Sequence, residues 1–206
     1  MIVAIDFGIT NTDVAVSNKS QYKFFSIPSK NANESSIDEI ISLIDIDITE
    51  ISQIVVTGGK SNELNESYKG VNLTKISETD AIGYGTKEIY KIENEPFITL
   101  SCGTGTACIH HQDGQFSYVG GIAVGGGTIS GLSKAMLDSS SLEETTDLAL
   151  KGNRKNIDLL IGDVVNEIGV LDSNVTASNF AKLKDSNIFS KEDMSHAILN
   201  LSLIHI

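Results

Sequence analysis

The sequence predicts an α/β protein built from two related lobes. Short runs of β-branched and aromatic residues alternate with helical patterns of apolar residues along the chain, which is typical of α/β folds. A strand, a turn rich in glycine and threonine and a second strand occur in this order twice, first from Ile2 and again from Phe97. We therefore expect one lobe over residues 1–94, a second over residues 95–206, and a ligand bound between them.

The first lobe begins with a small sheet and continues with alternating helices and strands. A capping box from Ser35 to Asp38 introduces a helix that reaches Ile44, because isoleucines recur there at helical spacing. A second helix is predicted over Asp80–Ile92, although two glycines inside it lower its helix propensity. Short β-branched or aromatic runs predict the strands Ile2–Ile5, Val14–Val16, Tyr22–Ile27, Gln53–Thr57 and Val71–Ile76.

The second lobe follows the polar boundary segment Asn94–Pro96. The turn sequence His111–Gly114 favours a hairpin between two of its strands. We expect His110 and His111, beside this turn, to form an exposed strand end rather than a metal site. The predicted elements are strands over Phe97–Leu100, Ala107–His110 and Phe116–Val119, and helices over Thr128–Leu137, Leu142–Leu150 and after a cap at Ser190.

Composition excludes several classes of protein. The chain has 206 residues, 40% of them hydrophobic, and no apolar run reaches the roughly 20 residues of a membrane helix. The net charge of -12 and the single arginine, Arg154, exclude a protein whose main partner is nucleic acid, because phosphate backbones are bound by clustered basic side chains. Two cysteines without a CxxC motif, and a start without a basic segment, favour the cytoplasm.

The turn after the first strand has the features of a phosphate and metal site. Asp6 ends the strand, and its carboxylate is a ligand that hydrated Mg²⁺ requires near phosphates. Gly8 is expected to take the positive φ of a tight turn, and Thr10 offers a hydroxyl and an amide. On its own, the segment is equally well interpreted as a polar hairpin.

The second lobe contains a similar turn and half of the glycines. Nine of the 18 glycines lie between Gly103 and Gly131. Residues Gly103 to Thr106 form the second glycine-threonine turn, and Gly125–Thr128 precedes a predicted helix whose N-terminus favours an anion. Because basic side chains are scattered, we expect a polyphosphate to be held mainly by main-chain amides and a metal ion.

Two common nucleotide-binding motifs are excluded. A Walker A loop requires a glycine five residues before Gly59, where Ile54 stands. A dinucleotide-binding fingerprint that starts at Gly103 requires a glycine at the position of Cys108. The glycine-rich turns therefore belong to a different nucleotide-binding fold.

The motifs, in this order, resemble the actin-like (ribonuclease H-like) superfamily of sugar kinases and heat-shock ATPases, and within it the type II, or Fumble-type, pantothenate kinases. The resemblance covers nearly the whole chain. It implies a two-lobed actin-like ATPase fold and an ATP- and Mg²⁺-dependent kinase that phosphorylates the primary hydroxyl of pantothenate, the first step toward coenzyme A, as a homodimer. The segments that carry it are Ile5–Thr10, Thr57–Lys60, Glu78–Ala81, Gly103–Thr106, Val119–Thr128, Leu148–Asp158 and Leu171–Phe180.

The resemblance also implies roles, position by position. Glu78 matches the general base that takes the proton from the acceptor hydroxyl; without the resemblance it would be interpreted as a solvated acid at a helix start. Asp6 matches the residue that organises Mg²⁺, and Thr104 matches a hydroxyl residue close to the acceptor. The positions that match nucleotide-binding residues are Asp6, Gly8, Thr10, Gly103, Gly105, Thr106, Gly125, Gly126, Gly127 and Thr128.

Two positions depart from the family pattern. Ile9 stands where the family usually has a second glycine. On the substrate side, Tyr118 stands where the family has an arginine, so the charged fork that suits a carboxylate such as that of pantothenate is absent. Two alternatives stay open: a related actin-fold kinase acting on another small alcohol or sugar, and a non-catalytic nucleotide-binding module with a regulatory role.

The end of the sequence departs as well. No glycine follows Gly169, whereas the family has a glycine-bearing adenosine contact after a long helix. We therefore expect a second lobe that is incomplete at the C-terminus, and a truncated chain with weak or no turnover. The last six residues, Leu201–Ile206, are expected to be translated sequencing adapter and not part of the fold.

Overall fold

The chain forms two compact units in a computed structural model that describes residues 1–18, 21–165, 171–185 and 189–204. Unit 1 consists of residues 1–99 and 108–119, and unit 2 of residues 100–107 and 120–206. The lobe boundary predicted near residue 94 stays a prediction. Of the tail predicted at Leu201–Ile206, the backbone is described only as far as residue 204, and the remainder lies outside the described residues.

A six-stranded sheet forms the centre of unit 1. Its strands are β1 Ile2–Phe7, β2 Asn11–Asn18, β3 Gln21–Pro28, β4 Gln53–Thr57, β5 Ser67–Tyr68 and β6 Val71–Lys75. They lie in the order β3-β2-β1-β4-β6-β5, with β1 antiparallel to β2 and parallel to β4. The five strands predicted in this region are confirmed, and the two-residue β5 is too short to give a sequence signal.

The core of unit 1 lies between one face of this sheet and helix α1, Glu34–Leu43. Val3 and Ile5 of β1 are buried against Ile37 and Ile40 of α1. Each fully buried aliphatic side chain of this size contributes about 1.5–3 kcal/mol through the hydrophobic effect. Residues of β1 alternate between the faces, so Asp6 lies on the face opposite α1.

The start of α1 differs from the prediction. The N-cap is Asn33, whose Oδ1 accepts a hydrogen bond from the amide of Ser36 at 2.9 Å. The capping box predicted from Ser35 to Asp38 is therefore wrong, because the extended backbone of Asn33 already places an acceptor over the first free amides. Helix α2, Glu78–Tyr90, begins two residues earlier than predicted, after the N-cap Ser77.

Three strands cross from one unit to the other: β7 Phe97–Cys102, β8 Thr106–Gln112 and β9 Gln115–Ile122. They form a sheet in the order β7-β8-β9. The predicted hairpin between β8 and β9 is confirmed, since Asp113 (φ 52°) and Gly114 (φ 76°) form a two-residue turn with positive φ at both positions.

His111 is not part of an exposed strand end, so that expectation is wrong. Its side chain is only 1% exposed and stacks on Phe97 at 4.7 Å between ring centroids. Phe116 approaches its ring from another direction, at 5.0 Å. The Nδ1 atom lies 3.2 Å from the carbonyl oxygen of Glu95. Because a carbonyl oxygen can only accept a hydrogen bond, Nδ1 must carry a proton in this contact. The histidine is therefore a core residue of unit 1.

Helices dominate unit 2. The elements are α3 Gly126–Leu137, α4 Leu142–Ala149, α5 Ile161–Val164 and α6 Lys191–Ile204, with strands β10 Leu159–Leu160 and β11 Thr176–Ser178. Its core is formed by Leu137, Ile157, Met194, Ala197 and Ile198. The cap predicted for the last helix is confirmed, because Ser190 Oγ accepts from the amide of Asp193 at 3.0 Å.

Short 3₁₀ helices lie at Ile48–Glu50, Ser61–Glu63, Arg154–Asn156 and Ala181–Lys184. Within the described residues, no helix is both long and apolar enough to cross a membrane.

Two glycines in α2 lead to opposite predictions. A Cβ at Gly83 would overlap the ring of Phe116, whereas a Cβ at Gly85 would meet no atom of the described residues within 4 Å. In urea unfolding, we expect Gly85→Ala to stabilise the protein by about 0.5–1 kcal/mol, because alanine is the better helix former. We expect Gly83→Ala to destabilise it by about 1–3 kcal/mol through overpacking. Equal unfolding midpoints for the two variants would contradict the packing of α2 on Phe116.

Candidate functional site

Three carboxylates lie near one another at the end of β1 in unit 1. Asp6 pairs across the ladder with Asp13 of β2, and Glu78 is the first residue of α2. Partial burial raises the pKa of the Asp6 carboxyl, and the negative charges of Glu78 and Asp13 raise it further. None of the ion pairs between described residues includes any of the three. The cluster therefore favours a cation.

The donor set fits a hydrated divalent cation such as Mg²⁺. This ion is usually held by one or two carboxylates, while water and phosphate oxygens fill its other positions. Among the described residues, no group of three or more His, Cys, Asp or Glu side chains has the geometry of a metal site. Asp6 would therefore bind such an ion together with water or an anionic ligand, not as part of a protein cage.

The turn that follows Asp6 is held tightly by its neighbours. Ser29 donates a hydrogen bond from Oγ to the carbonyl of Gly8 at 2.8 Å, and from its amide to the carbonyl of Thr10 at 3.3 Å. The positive φ predicted for Gly8 is wrong, since its φ is not among the positive values. Glycine is required there for space, because a Cβ would lie 2.6 Å from the carbonyl oxygen of Asn11.

The side chain of Ile9 does not fill the turn. Its side chain is 81% exposed. A residue with a side chain is therefore accommodated at this position, because the side chain extends into solvent and away from the main chain of the turn.

In unit 2, the second turn and the start of α3 are joined by main-chain hydrogen bonds. The amide of Gly126 donates to the carbonyl of Gly103 at 2.8 Å, and that of Gly127 donates to the carbonyl of Thr104 at 3.0 Å. A Cβ at Gly125 would lie 2.7 Å from the carbonyl carbon of Gly105. The two glycine-rich segments predicted from the sequence therefore form one main-chain body.

Threonine hydroxyls complete this body. Thr106 Oγ1 donates to the carbonyl of Val124 at 2.8 Å, and Thr128 Oγ1 donates to the carbonyl of Ala123 at 2.9 Å. Two of the first amides of α3 and both of these hydroxyls thus serve to hold the turns together. An anion at this end of α3 would depend on the helix dipole and on other main-chain donors of the turns.

The predicted site residues fall into two sets. Asp6, Gly8, Thr10, Glu78 and Tyr118 belong to unit 1, and the glycine-rich body with Thr104 belongs to unit 2. Tyr118 lies on β9 and is 61% exposed. Thr104 is half-buried, and its methyl group lies where a Cβ at Gly127 would approach to 2.8 Å.

An open cavity of about 570 Å³ lies on the sheet face that carries Asp6. Small residues of the sheet, such as Ala4 and Ala15, form part of its wall, and Asp6 and Asp13 lie among the lining residues. The face that carries the carboxylates is thus accessible from solvent in unit 1.

Sequence reasoning assigned no role to Asp13 or to Gly58. The signal for Asp13 is a charge between two buried residues, Thr12 and Val14, which places it on the same face as Asp6. The signal for Gly58 is a glycine pair directly after a buried strand. A Cβ at Gly58 would overlap Oδ1 of Asp6.

Comparison with known proteins identifies the family. The profile of the family described as Fumble matches residues 8–206. The chain belongs to the Fumble family. It is 36% identical over 200 residues to a type II pantothenate kinase of Bacillus anthracis, covering 92% of this chain and 70% of that protein. A type II pantothenate kinase of Oceanobacillus iheyensis is 27% identical over 177 residues, covering 84% of this chain and 65% of that protein.

A solved structure confirms the fold class of this Fumble-family chain. The activator of the 2-hydroxyisocaproyl-CoA dehydratase from Clostridium difficile, solved with bound ADPNP, aligns with a TM-score of 0.57 and 16% identity. The alignment covers 96% of this chain and 70% of that protein. The predicted α/β fold of the actin-like ATPases is thus confirmed.

Arg154, the only arginine, is used within unit 2. Its guanidinium donates to Thr176 Oγ1 at 2.7 Å and to the carbonyl of Asn174 at 2.6 Å, and it lies 3.8 Å from Oδ2 of Asp158. Asp158 is fully buried. Burial raises the pKa of the Asp158 carboxyl, while the amide of Phe180 and the charge of Arg154 oppose this rise. The arginine therefore neutralises a buried carboxylate.

Removing this arginine should destabilise the fold in a pH-dependent way. We expect Arg154→Met to cost roughly 3 kcal/mol at pH 7, because it leaves Asp158 charged and unpaired in the core. The substitution raises the pKa of Asp158 in the folded state further above its value in the unfolded state. The loss of stability should therefore shrink as the pH falls and the carboxyl is protonated. Urea unfolding across pH 4–7 measures this. Adding Asp158→Asn should restore part of the stability at pH 7; a loss that is independent of pH would contradict the assignment.

Proposed function

We propose that the protein with this sequence, in its full-length form, transfers the γ-phosphoryl group of ATP to the primary hydroxyl of pantothenate, the first step of coenzyme A synthesis. Membership of the Fumble family and the names of its relatives support the reaction class and the acceptor. The observation that carries the proposal is the electrostatic proximity of Glu78 and Asp6 in unit 1. A base for the acceptor hydroxyl and a carboxylate for the metal ion are thus within reach of one another.

Glu78 is suited to act as the general base. It begins α2, where the N-cap Ser77 accepts a hydrogen bond from the amide of Asp80, so its backbone is fixed. Its side chain is exposed and makes no ion pair among those between described residues. An acceptor hydroxyl can therefore reach the carboxylate and transfer its proton to it during attack on the phosphorus.

Asp6 would hold Mg²⁺, which supplies charge neutralisation for the phosphate oxygens. The glycine-rich body of unit 2 would bind the nucleotide phosphates, since phosphoryl transfer depends mainly on positioning and electrostatic stabilisation. In this proposal, Gly8 and Thr10 contribute main-chain contacts from unit 1. We further propose a cytoplasmic homodimer, as the family resemblance implies.

A kinase with another acceptor is the second candidate. Tyr118 supplies no positive charge on the substrate side, and Arg154 is bound to groups of unit 2. Both observations favour an acceptor without a carboxylate. Measuring ADP release across small alcohols and sugars as well as pantothenate distinguishes the two, and ATP binding without any turnover would favour a non-catalytic module.

The role of Glu78 gives a direct test. In the full-length protein, we expect Glu78→Gln to lower pantothenate-dependent ADP release by about 10²- to 10⁴-fold, because the amide cannot accept the hydroxyl proton. Glu88→Gln is the matched control, since Glu88 lies on the same helix and, among the described residues, forms an ion pair only with Lys91 on the surface. Equal turnover of Glu78→Gln and Glu88→Gln would refute the assignment.

The glycine-rich body gives a second test. We expect Gly125→Ala to lower catalytic efficiency for ATP by about 100-fold, because its Cβ would displace the turn at Gly105. Gly131→Ala, inside the helix α3 that Gly125 caps, is the control, since a Cβ there meets no described residue within 4 Å. Unchanged efficiency of Gly125→Ala, measured by ADP release at varied ATP concentration, would exclude this turn from the nucleotide site.

A further inference from the structure

Gly58 lies directly beside the proposed metal ligand. Strands β1 and β4 are parallel neighbours, and Asp6 pairs in register with Thr57. The next residue, Gly58, leaves the sheet at the same edge as the Asp6 carboxylate. Thr57 Oγ1 is buried there without a hydrogen-bond partner among the described residues, so this edge has unused hydrogen-bonding capacity.

The turn at Gly58 has a conformation that favours glycine. Gly58 has φ 72° and Gly59 has φ 43°, so the chain turns away from β4 through two consecutive left-handed residues. A Cβ at Gly58 would overlap Oδ1 of Asp6 and would lie 3.0 Å from the carbonyl oxygen of Phe7. A Cβ at Gly59 would lie 2.9 Å from the same carbonyl oxygen, with no atom of Asp6 among its nearest neighbours. Only the first glycine thus makes room for the carboxylate.

Electrostatic repulsion makes the contact between Gly58 and Asp6 important for the position of the carboxylate. Asp13, which pairs with Asp6 across the ladder, and Glu78, at the start of α2, carry like charges near the Asp6 carboxylate and repel it. Lys60, two residues after Gly58, does not offset this, because its ammonium is directed to Glu63 at 3.9 Å and its side chain is 81% exposed. The close approach to the Gly58 main chain therefore fixes one side of a carboxylate that other charges push away.

We infer that Gly58 is a positioning residue for Asp6: the missing side chain leaves the space that the carboxylate needs in order to hold a divalent cation. The inference rests on the proposed function, since it uses Asp6 as the ligand of Mg²⁺. It gives a role to the Thr57–Lys60 segment, which follows no Walker A pattern. Any side chain at position 58 would move the carboxylate or the turn.

Cation binding and folding can be measured separately on the same variants. Mn²⁺ is titrated into the chain in the presence of a non-hydrolysable ATP analogue, and free Mn²⁺ is followed by electron paramagnetic resonance. Gly58→Ala is compared with Gly70→Ala, because Gly70 also has positive φ (85°) but a Cβ there meets nothing within 4 Å. Gly59→Ala controls for crowding of Phe7. Urea unfolding of each variant gives its stability.

We expect Gly58→Ala to lose about 10- to 100-fold in Mn²⁺ affinity, the usual effect of disturbing a group that orients a metal ligand. Gly70→Ala and Gly59→Ala should retain the affinity of the native chain at comparable losses of stability. If Gly58→Ala does not fold, Gly58→Asn replaces it, with Gly70→Asn as control, because asparagine adopts positive φ more readily than alanine.

Two results would overturn the inference, and they differ in meaning. Equal Mn²⁺ affinity of the Gly58 and Gly70 variants removes the role of Gly58 and leaves the proposed function intact. Failure of the native chain to bind Mn²⁺ with the ATP analogue removes the metal role of Asp6, and with it both the inference and that part of the proposed function.

Discussion

Close approach of main chain to main chain is the constraint on which the candidate site depends. In unit 2, a Cβ at Gly125 would lie 2.7 Å from the carbonyl carbon of Gly105, and a Cβ at Gly127 would lie 3.1 Å from the carbonyl oxygen of Thr104. In unit 1, Gly58 leaves room for the carboxylate of Asp6. Main-chain groups and the carboxylate of Asp6 therefore form the surfaces of these turns. Glycine is concentrated in the chain because these approaches exclude a side chain.

The candidate site in unit 1 is negatively charged. The chain is strongly acidic, and its single arginine is used inside unit 2, so this guanidinium is not available to the turns. Asp6, Asp13 and Glu78 instead concentrate negative charge at the end of β1. A phosphate ligand can approach such a surface only with a divalent cation between them. Metal and nucleotide are thus expected to bind together.

Local patterns predicted most of the fold, and tertiary contacts explain what they did not predict. Strand β4 was predicted with its observed bounds, and α2 within two residues, because β-branched runs and apolar periodicity are encoded locally. The burial of His111 was not predictable, since it depends on Phe97 and Phe116, which lie elsewhere in the chain. The sequence likewise did not show that Gly8 is required for space, because a glycine required by a close contact and a glycine required by a positive φ are indistinguishable in a sequence. Among the site residues, Asp6 was indicated by its place at the end of the first strand and Glu78 by the family resemblance, whereas the contact of Gly58 with Asp6 required the register of β1 and β4.

The most direct measurement is a crystal structure of the protein with Mg²⁺, a non-hydrolysable ATP analogue and pantothenate. We expect the metal ion to be bound by Asp6 and by oxygens of the terminal phosphates, with the primary hydroxyl of pantothenate about 3 Å from the Glu78 carboxylate. A complex with the acceptor hydroxyl beside a different base, or with the metal ion away from Asp6, would contradict the assignment of these two residues.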